Sequence, residues 1–179
     1  MNKTTKIALV CTIVFLCVVC IIRVLPERIT QPKSPHLDPH VLYTVEHVID
    51  GDTFILVTKQ KHLTVRMLGI DTPETVDPRK SVQCYGLEAS QKTKSLLEGH
   101  SVRLVTSPQR EVLDKYGRYL AYVYRDDDMF INEHLLEGGF AREYTYGTPY
   151  SLQKEFRNIE KEAMHHAKGL WGHCKEVVG

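Results

Sequence analysis

Residues 41–58, "VLYTVEHVIDGDTFILVT", carry two β-branched runs broken by Asp50-Gly51-Asp52, and this break limits the fold more than any other feature of the chain. Short alternating runs of this kind predict strands, and a glycine-centred break between them predicts a hairpin or a bulge. "HLTVRMLGI" (62–70) alternates and then becomes continuously apolar, as a strand does on entering a core. "SVRLVT", "RYLAYVY" and a short "MFIN" bring the number of predicted strands to about five. Helical spacing is confined to three places. "GLEASQKTKSLLEGH" sets Ala89, Thr93, Leu96 and Leu97 on one face and ends at Gly99. "NEHLLEGG" is a short helix with Asn132 as its predicted N-cap. "SLQKEFRNIEKEAMHHAKG" spaces Leu152, Phe156, Ile159, Ala163 and Ala167 helically, with Gly169 past its end. Strands and helices that do not alternate as β-α-β predict an α+β fold, a five-stranded OB-fold β-barrel with about three helices.

Ahead of this domain, Lys3 and Lys6 precede an almost wholly apolar run, Ile7 to Ile22, which predicts a hydrophobic helix that addresses the chain to a membrane. No small-x-small cleavage site follows it, so residues 1–25 are read as a signal anchor, with a signal peptide as the alternative. Pro26, Pro32, Pro35 and Pro39 mark 26–40 as an extended linker, leaving 41–174 as the domain and 175–179 as a tail. The domain is therefore expected outside the cytoplasm, membrane-anchored or secreted, and is taken to act as a monomer.

The 179 residues hold 23 Lys plus Arg against 22 Asp plus Glu; residues 1–40 take five of the basic and two of the acidic ones, so 18 and 20 remain for the rest. A general basic field is excluded, and any affinity for nucleic acid must come from individually placed cations. Of five cysteines, Cys11, Cys17 and Cys20 lie in the apolar run, leaving Cys84 and Cys174 as one candidate disulfide if the domain is exported. The Cys and His spacings of the domain do not suit zinc.

Two acid clusters draw attention. "DGDT" supplies Asp50 and Asp52; "GIDTPET" supplies Asp71 and Glu74 on either side of a Thr-Pro step. If the intervening segments are neighbouring strands, the clusters meet at one end of the barrel and can offer a hard divalent cation several oxygens. Each also reads singly as ordinary turn chemistry. Arg66 alternates with Val65 and Met67, and Arg118 opens a strand after a Tyr116-Gly117 turn; an arginine fork suits bidentate contact with phosphate.

"VIDGDTFILV", "VRMLGIDTPET", "YGLEASQKTKSLL", "DKYGRYLAYVY" and "INEHLLEGGFA" together resemble the staphylococcal nuclease (thermonuclease) family, in order and approximate spacing, from about Val45 to Trp171. The resemblance implies calcium-dependent, largely sequence-nonspecific cleavage of DNA and RNA to 3'-phosphate and 5'-hydroxyl ends. It implies Asp52, Asp71 and the Thr72 carbonyl as calcium ligands, Glu74 as general base, and Arg66 and Arg118 as the arginines that grip the scissile phosphate. Lys115 and Tyr116 match positions that contact a terminal phosphate, and Tyr144 and Tyr146 look like the nucleotide-side tyrosines. The step from Ala141 to Tyr144 is one residue shorter than in the best-known member of that family. Exposed tyrosines there would suit stacking on bases without sequence preference. Two other readings share these residues: a catalytically silent OB-fold module that binds nucleic acid or a protein, and a phosphodiesterase of small nucleotides.

Overall fold

The computed structural model describes residues 37–59, 61–78 and 81–175; the predicted hydrophobic helix, linker residues 26–36 and tail residues 176–179 lie outside the described residues. Within this unit, β1 (Tyr43–Asp50) and β2 (Thr53–Val57) form a hairpin, with Asp50 opposite Thr53 and register irregularities at Val45/His47 and Val48/Asp50. Hairpin and bulge thus both occur, the bulges giving β1 the curvature that a closing sheet needs. β3 (His62–Met67) runs antiparallel to β2, pairing Thr53 with Arg66. β5 (Ser101–Val105) and β6 (Tyr119–Arg125) pair antiparallel, β5 returns to β1, and β6 closes the barrel by lying parallel to β3, Val65 against Tyr119. The barrel order is β1-β2-β3-β6-β5. Two-residue strands β4 (Ile70–Asp71) and β7 (Arg142–Glu143) form a separate antiparallel pair.

Alternation fills the interior. Phe54 and Leu56 of β2, Val65 and Met67 of β3, Val102 and Leu104 of β5, and Ala121 and Val123 of β6 are all buried. Arg66 sits between two of these positions and points the other way. Helix α1 (Gly86–Leu97) buries Ala89, Thr93, Leu96 and Leu97, the face expected from spacing. Helices α2 (Ile131–Glu137) and α3 (Gln153–His165) cover the outer face of β6, where the Tyr122 ring meets Phe130, Tyr150 and Phe156 at 6.1–6.5 Å. A one-turn helix, α4 (Leu170–His173), follows.

The fold departs from the sequence reading at four points. "MFIN" is not a strand: Phe130 makes a single bridge to Tyr124, and α2 begins at Ile131. Asn132 is not the N-cap, because it is fully buried and spans the fold instead: its Oδ1 accepts from Val123 N–H and its Nδ2 donates to Leu68 C=O, both at 2.9 Å. Ala167 lies beyond the end of α3 at φ +49. Leu37, assigned to the linker, is buried in the core, and the chain beside it is tied down by the Asp38 N–H donating to the Tyr43 hydroxyl at 2.9 Å.

Candidate active site

The β1–β2 hairpin places Asp52 at the end of the barrel, and Gly51 lets it approach the other acid cluster. A Cβ at Gly51 would stand 2.6–2.9 Å from the Thr72 side chain, so only glycine allows the two segments to touch. Thr72 N–H donates to Asp52 Oδ2 at 3.0 Å, and Thr53 Oγ1 donates to Asp52 Oδ1 at 2.9 Å. Arg66 lies between the acids: Nη1 meets Asp52 Oδ2 at 2.7 Å and Nη2 meets Asp71 Oδ1 at 2.8 Å, while Nη1 also donates to Ile70 C=O at 2.9 Å. Arg142, beside Asp71 in the β4–β7 pair, takes the other oxygen, Oδ2, at 2.8 Å. Two guanidinium groups therefore balance the charges of buried Asp52 and part-buried Asp71.

Glu74 lies past the Pro73 turn, and its Oε1 accepts the N–H groups of Thr75, Val76 and Asp77 at 3.0, 2.8 and 3.1 Å. Burial opposes its ionisation. The Val76 N–H, a contact from Asp50 and the Asp77 and Thr75 N–H groups outweigh it, holding the carboxyl below the usual range. Asp50 is shifted the other way: burial, with the Asp52 and Glu74 charges adding to it, pushes it up to about 6 against the lowering bonds from Thr75 and Gly51. Asp50 Oδ1 takes the Thr75 hydroxyl at 2.6 Å, so the two acids of "DGD" split between the two segments that they hold: Asp50 fixes the Glu74 loop and Asp52 fixes Thr72.

On the other flank, a cleft of about 670 Å³ is lined by Arg66, Asp71, Lys115, Tyr116, Arg118, Tyr144 and Tyr146, among others. Arg118 is aimed by Asp114, whose Oδ2 takes its Nε and Nη2 at 2.7 Å and whose Oδ1 takes the Arg118 and Tyr116 N–H groups at 3.0 and 2.9 Å. The Lys115 ammonium lies over the Tyr116 ring at 5.0 Å and the Tyr146 ring at 6.0 Å, and Tyr144 and Tyr146 stack at 6.5 Å. Tyr116, Tyr144 and Tyr146 are exposed and line the cleft. Arg110 ties this wall together by donating to the Thr148 C=O and hydroxyl at 2.7 and 3.0 Å.

Most of the residues singled out in the sequence thus gather at one end of the barrel, with Arg66 common to the acid pair and the cleft; Asp52, Thr72 and Glu74 lie outside the cleft lining. The Cys84 and Cys174 sulfurs are bonded at 2.06 Å. Among the described residues, no three His, Cys, Asp or Glu side chains gather as a metal-ligating group. The local oxygens nevertheless suit a hard cation held by two carboxylates: Arg66 draws Asp52 and Asp71 together, and the buried Thr72 Oγ1, in the segment that Asp52 holds, has no hydrogen-bond partner.

A family model described as staphylococcal nuclease homologue matches residues 64–173. The chain belongs to the staphylococcal nuclease family. Thermonuclease of Staphylococcus hyicus is 44% identical over 129 residues, 72% of this chain and 75% of that protein. Thermonuclease of Staphylococcus intermedius is 43% identical over the same length and shares. Endonuclease YncB of Bacillus subtilis is 38% identical over 146 residues, 81% of this chain and 68% of its own. As a staphylococcal nuclease homologue the chain is a hydrolase, a nuclease, and its substrate is nucleic acid. Three positions in this nuclease, Asp114, Gln83 and Arg142, escape the sequence reading of the site, and a fourth, Asp50, takes a different place from the one expected. Asp114 stands four residues before Arg118, a visible spacing in a segment read as a turn. Gln83 and Arg142 are joined to Glu74 and Asp71 only by the fold, and Asp50 was grouped with Asp52 although it serves the other segment.

Proposed function

We propose that this nuclease is calcium-dependent and largely sequence-nonspecific, hydrolysing DNA and RNA to 3'-phosphate and 5'-hydroxyl ends. The observation that carries the reading is that Arg66 joins Asp52 to Asp71, and that Arg66 and Asp71 line a cleft that also holds Arg118. Asp52, Asp71 and the Thr72 carbonyl would hold the ion. When bound, it neutralises the phosphodiester and the charge gained as phosphorus becomes five-coordinate.

The chain's own groups divide the remaining work. Arg66 and Arg118 bind phosphate oxygens, and their forks suit the developing charge. Glu74, ionised at neutral pH, takes a proton from the attacking water as the bond from phosphorus to the 5'-oxygen breaks and that oxygen takes up a proton from solvent. Lys115 and Tyr116 meet a neighbouring phosphate, and Tyr144 and Tyr146 stack on bases, which gives grip without a sequence code.

The test is cleavage of single-stranded and plasmid DNA by the full chain in detergent, with calcium, magnesium, manganese or chelator, beside Glu74→Gln and Arg118→Ala. Calcium-dependent cutting reduced by about 10²- to 10⁴-fold in Glu74→Gln, with a comparable loss in Arg118→Ala, supports the assigned roles. A folded chain that binds DNA but cuts it with no divalent ion would replace this reading with that of a silent binding module.

The apolar run Ile7–Ile22 and the Cys84–Cys174 pair support a domain held outside the cytoplasm, anchored or released. Protease added to intact cells should then digest the domain. Protection until lysis would contradict export.

A further inference from the structure

Glu74 is fastened at its main chain as well as at its carboxylate. Its N–H donates to Gln83 Oε1 at 2.8 Å and its C=O accepts from Gln83 N–H at 3.0 Å, so one residue closes both backbone groups. What fixes Gln83 therefore fixes Glu74. The next residue, Cys84, is joined to Cys174 just past α4, and α4 is itself rooted: Leu170 is buried and its N–H donates to Gly139 C=O at 2.9 Å. Tyr85 follows at φ +67, a backbone conformation costly for a residue with a Cβ, its ring packed on His173 at 5.3 Å and Phe140 at 5.7 Å. Gly86 then starts α1 so close to the Glu74 loop that a Cβ there would lie 2.8 Å from Thr75 Cγ2 and 3.2 Å from Glu74 C=O. A strained residue held between a crosslink and a tight contact relaxes when the crosslink opens. Here the residue on the other side of the crosslinked Cys84 is Gln83.

We propose that Gln83 and the Cys84–Cys174 disulfide form a positioning device for Glu74, so that the rate of phosphodiester cleavage follows the oxidation state of this cysteine pair. The proposal rests on the reading of Glu74 as the base. Cys84 is exposed and Cys174 half-exposed, so a dithiol can reach the bond. A dithiol's thiolate attacks one sulfur to give a mixed disulfide, and its second thiol displaces the protein thiol; two electrons and two protons pass to Cys84 and Cys174, and the dithiol leaves as its own disulfide. Gln83 is a positioning residue, acting through Glu74 and touching no substrate. The arrangement makes the nuclease slow among reducing thiols and fast where disulfides persist, which suits an enzyme that must spare nucleic acid in the compartment where it is made.

The experiment compares kcat and KM on single-stranded DNA for the full chain in detergent, oxidised and after dithiothreitol followed by alkylation, with the divalent ion in excess. Beside it stand the Cys84→Ser/Cys174→Ser double variant, Gln83→Ala and Gln83→Glu, with circular dichroism reporting the folded state of each. Reduction and the double substitution are expected to lower kcat by about ten- to a hundred-fold while KM stays within about two-fold, the mark of a displaced catalytic group. Gln83→Ala, its disulfide intact, shows the same split even if the reduced chain fails to fold, and Gln83→Glu, which keeps an acceptor for the Glu74 N–H, retains most of kcat. Dithiothreitol leaves the serine variant unchanged. Equal kcat in oxidised and reduced chains, or a loss carried wholly by KM, overturns the proposal alone. An oxidised wild-type chain that cuts nothing overturns it together with the role of Glu74.

Discussion

Asp114 shows how one carboxylate can set both the aim of a cation and the acid limit of a fold. Its burial opposes ionisation, but bonds from the Arg118 N–H, the Arg118 guanidinium and the Tyr116 N–H outweigh that and hold it below the usual carboxylate range. A depressed pKa contributes stability above the unfolded value, near 4, and loses it as pH falls through the folded one. Asp114→Asn should therefore be less stable than wild type at pH 7, with the gap shrinking as pH falls below the unfolded value, as urea denaturation across acid pH would reveal; a gap that stays constant would deny the link. At this scale the sequence disclosed the residue types that meet nucleic acid and hid their counter-ions. Arg66 was legible because it is the cation on the outward half of an apolar alternation. Arg142 was not, since its partner Asp71 is 71 residues away, and "DGD" cannot say which acid serves which neighbour.

Among the elements, α2 is where local rules and the fold disagree. Asn132 sits where an N-cap is expected, yet its amide bonds both Val123 N–H and Leu68 C=O, joining β6 to the residue after β3 beneath a helix. A propensity rule sees only the first turn of a helix, whereas the chain uses this residue across 64 positions. Asn132→Leu takes a buried partner from two backbone groups and should cost on the order of 2 to 5 kcal/mol in urea denaturation. A loss under about 1 kcal/mol would show that water or a shift of the backbone replaces the amide. The strands and the buried face of α1 were readable because periodicity alone specifies them; the β4–β7 pair was not, since two residues are too few to carry a period.

For the molecule as a whole, the barrel is closed by its one parallel pairing, β3 against β6, and the two arginines of the site stand on opposite sides of that seam: Arg66 within β3, and Arg118 immediately before the Tyr119 that pairs with Val65. Every other barrel pairing is antiparallel, most of them between neighbours in the chain. The seam joins segments separated by all of α1 and β5, so its closure bears a loop entropy that the β1–β2–β3 meander does not. During synthesis, the first three strands can leave the ribosome and pair while Arg118 is still unmade, so a nascent or truncated chain carries one arginine of the pair and no cleft. The hazard of making a nuclease inside the cell that encodes it is thereby confined to the interval after the last barrel strand has been threaded into place.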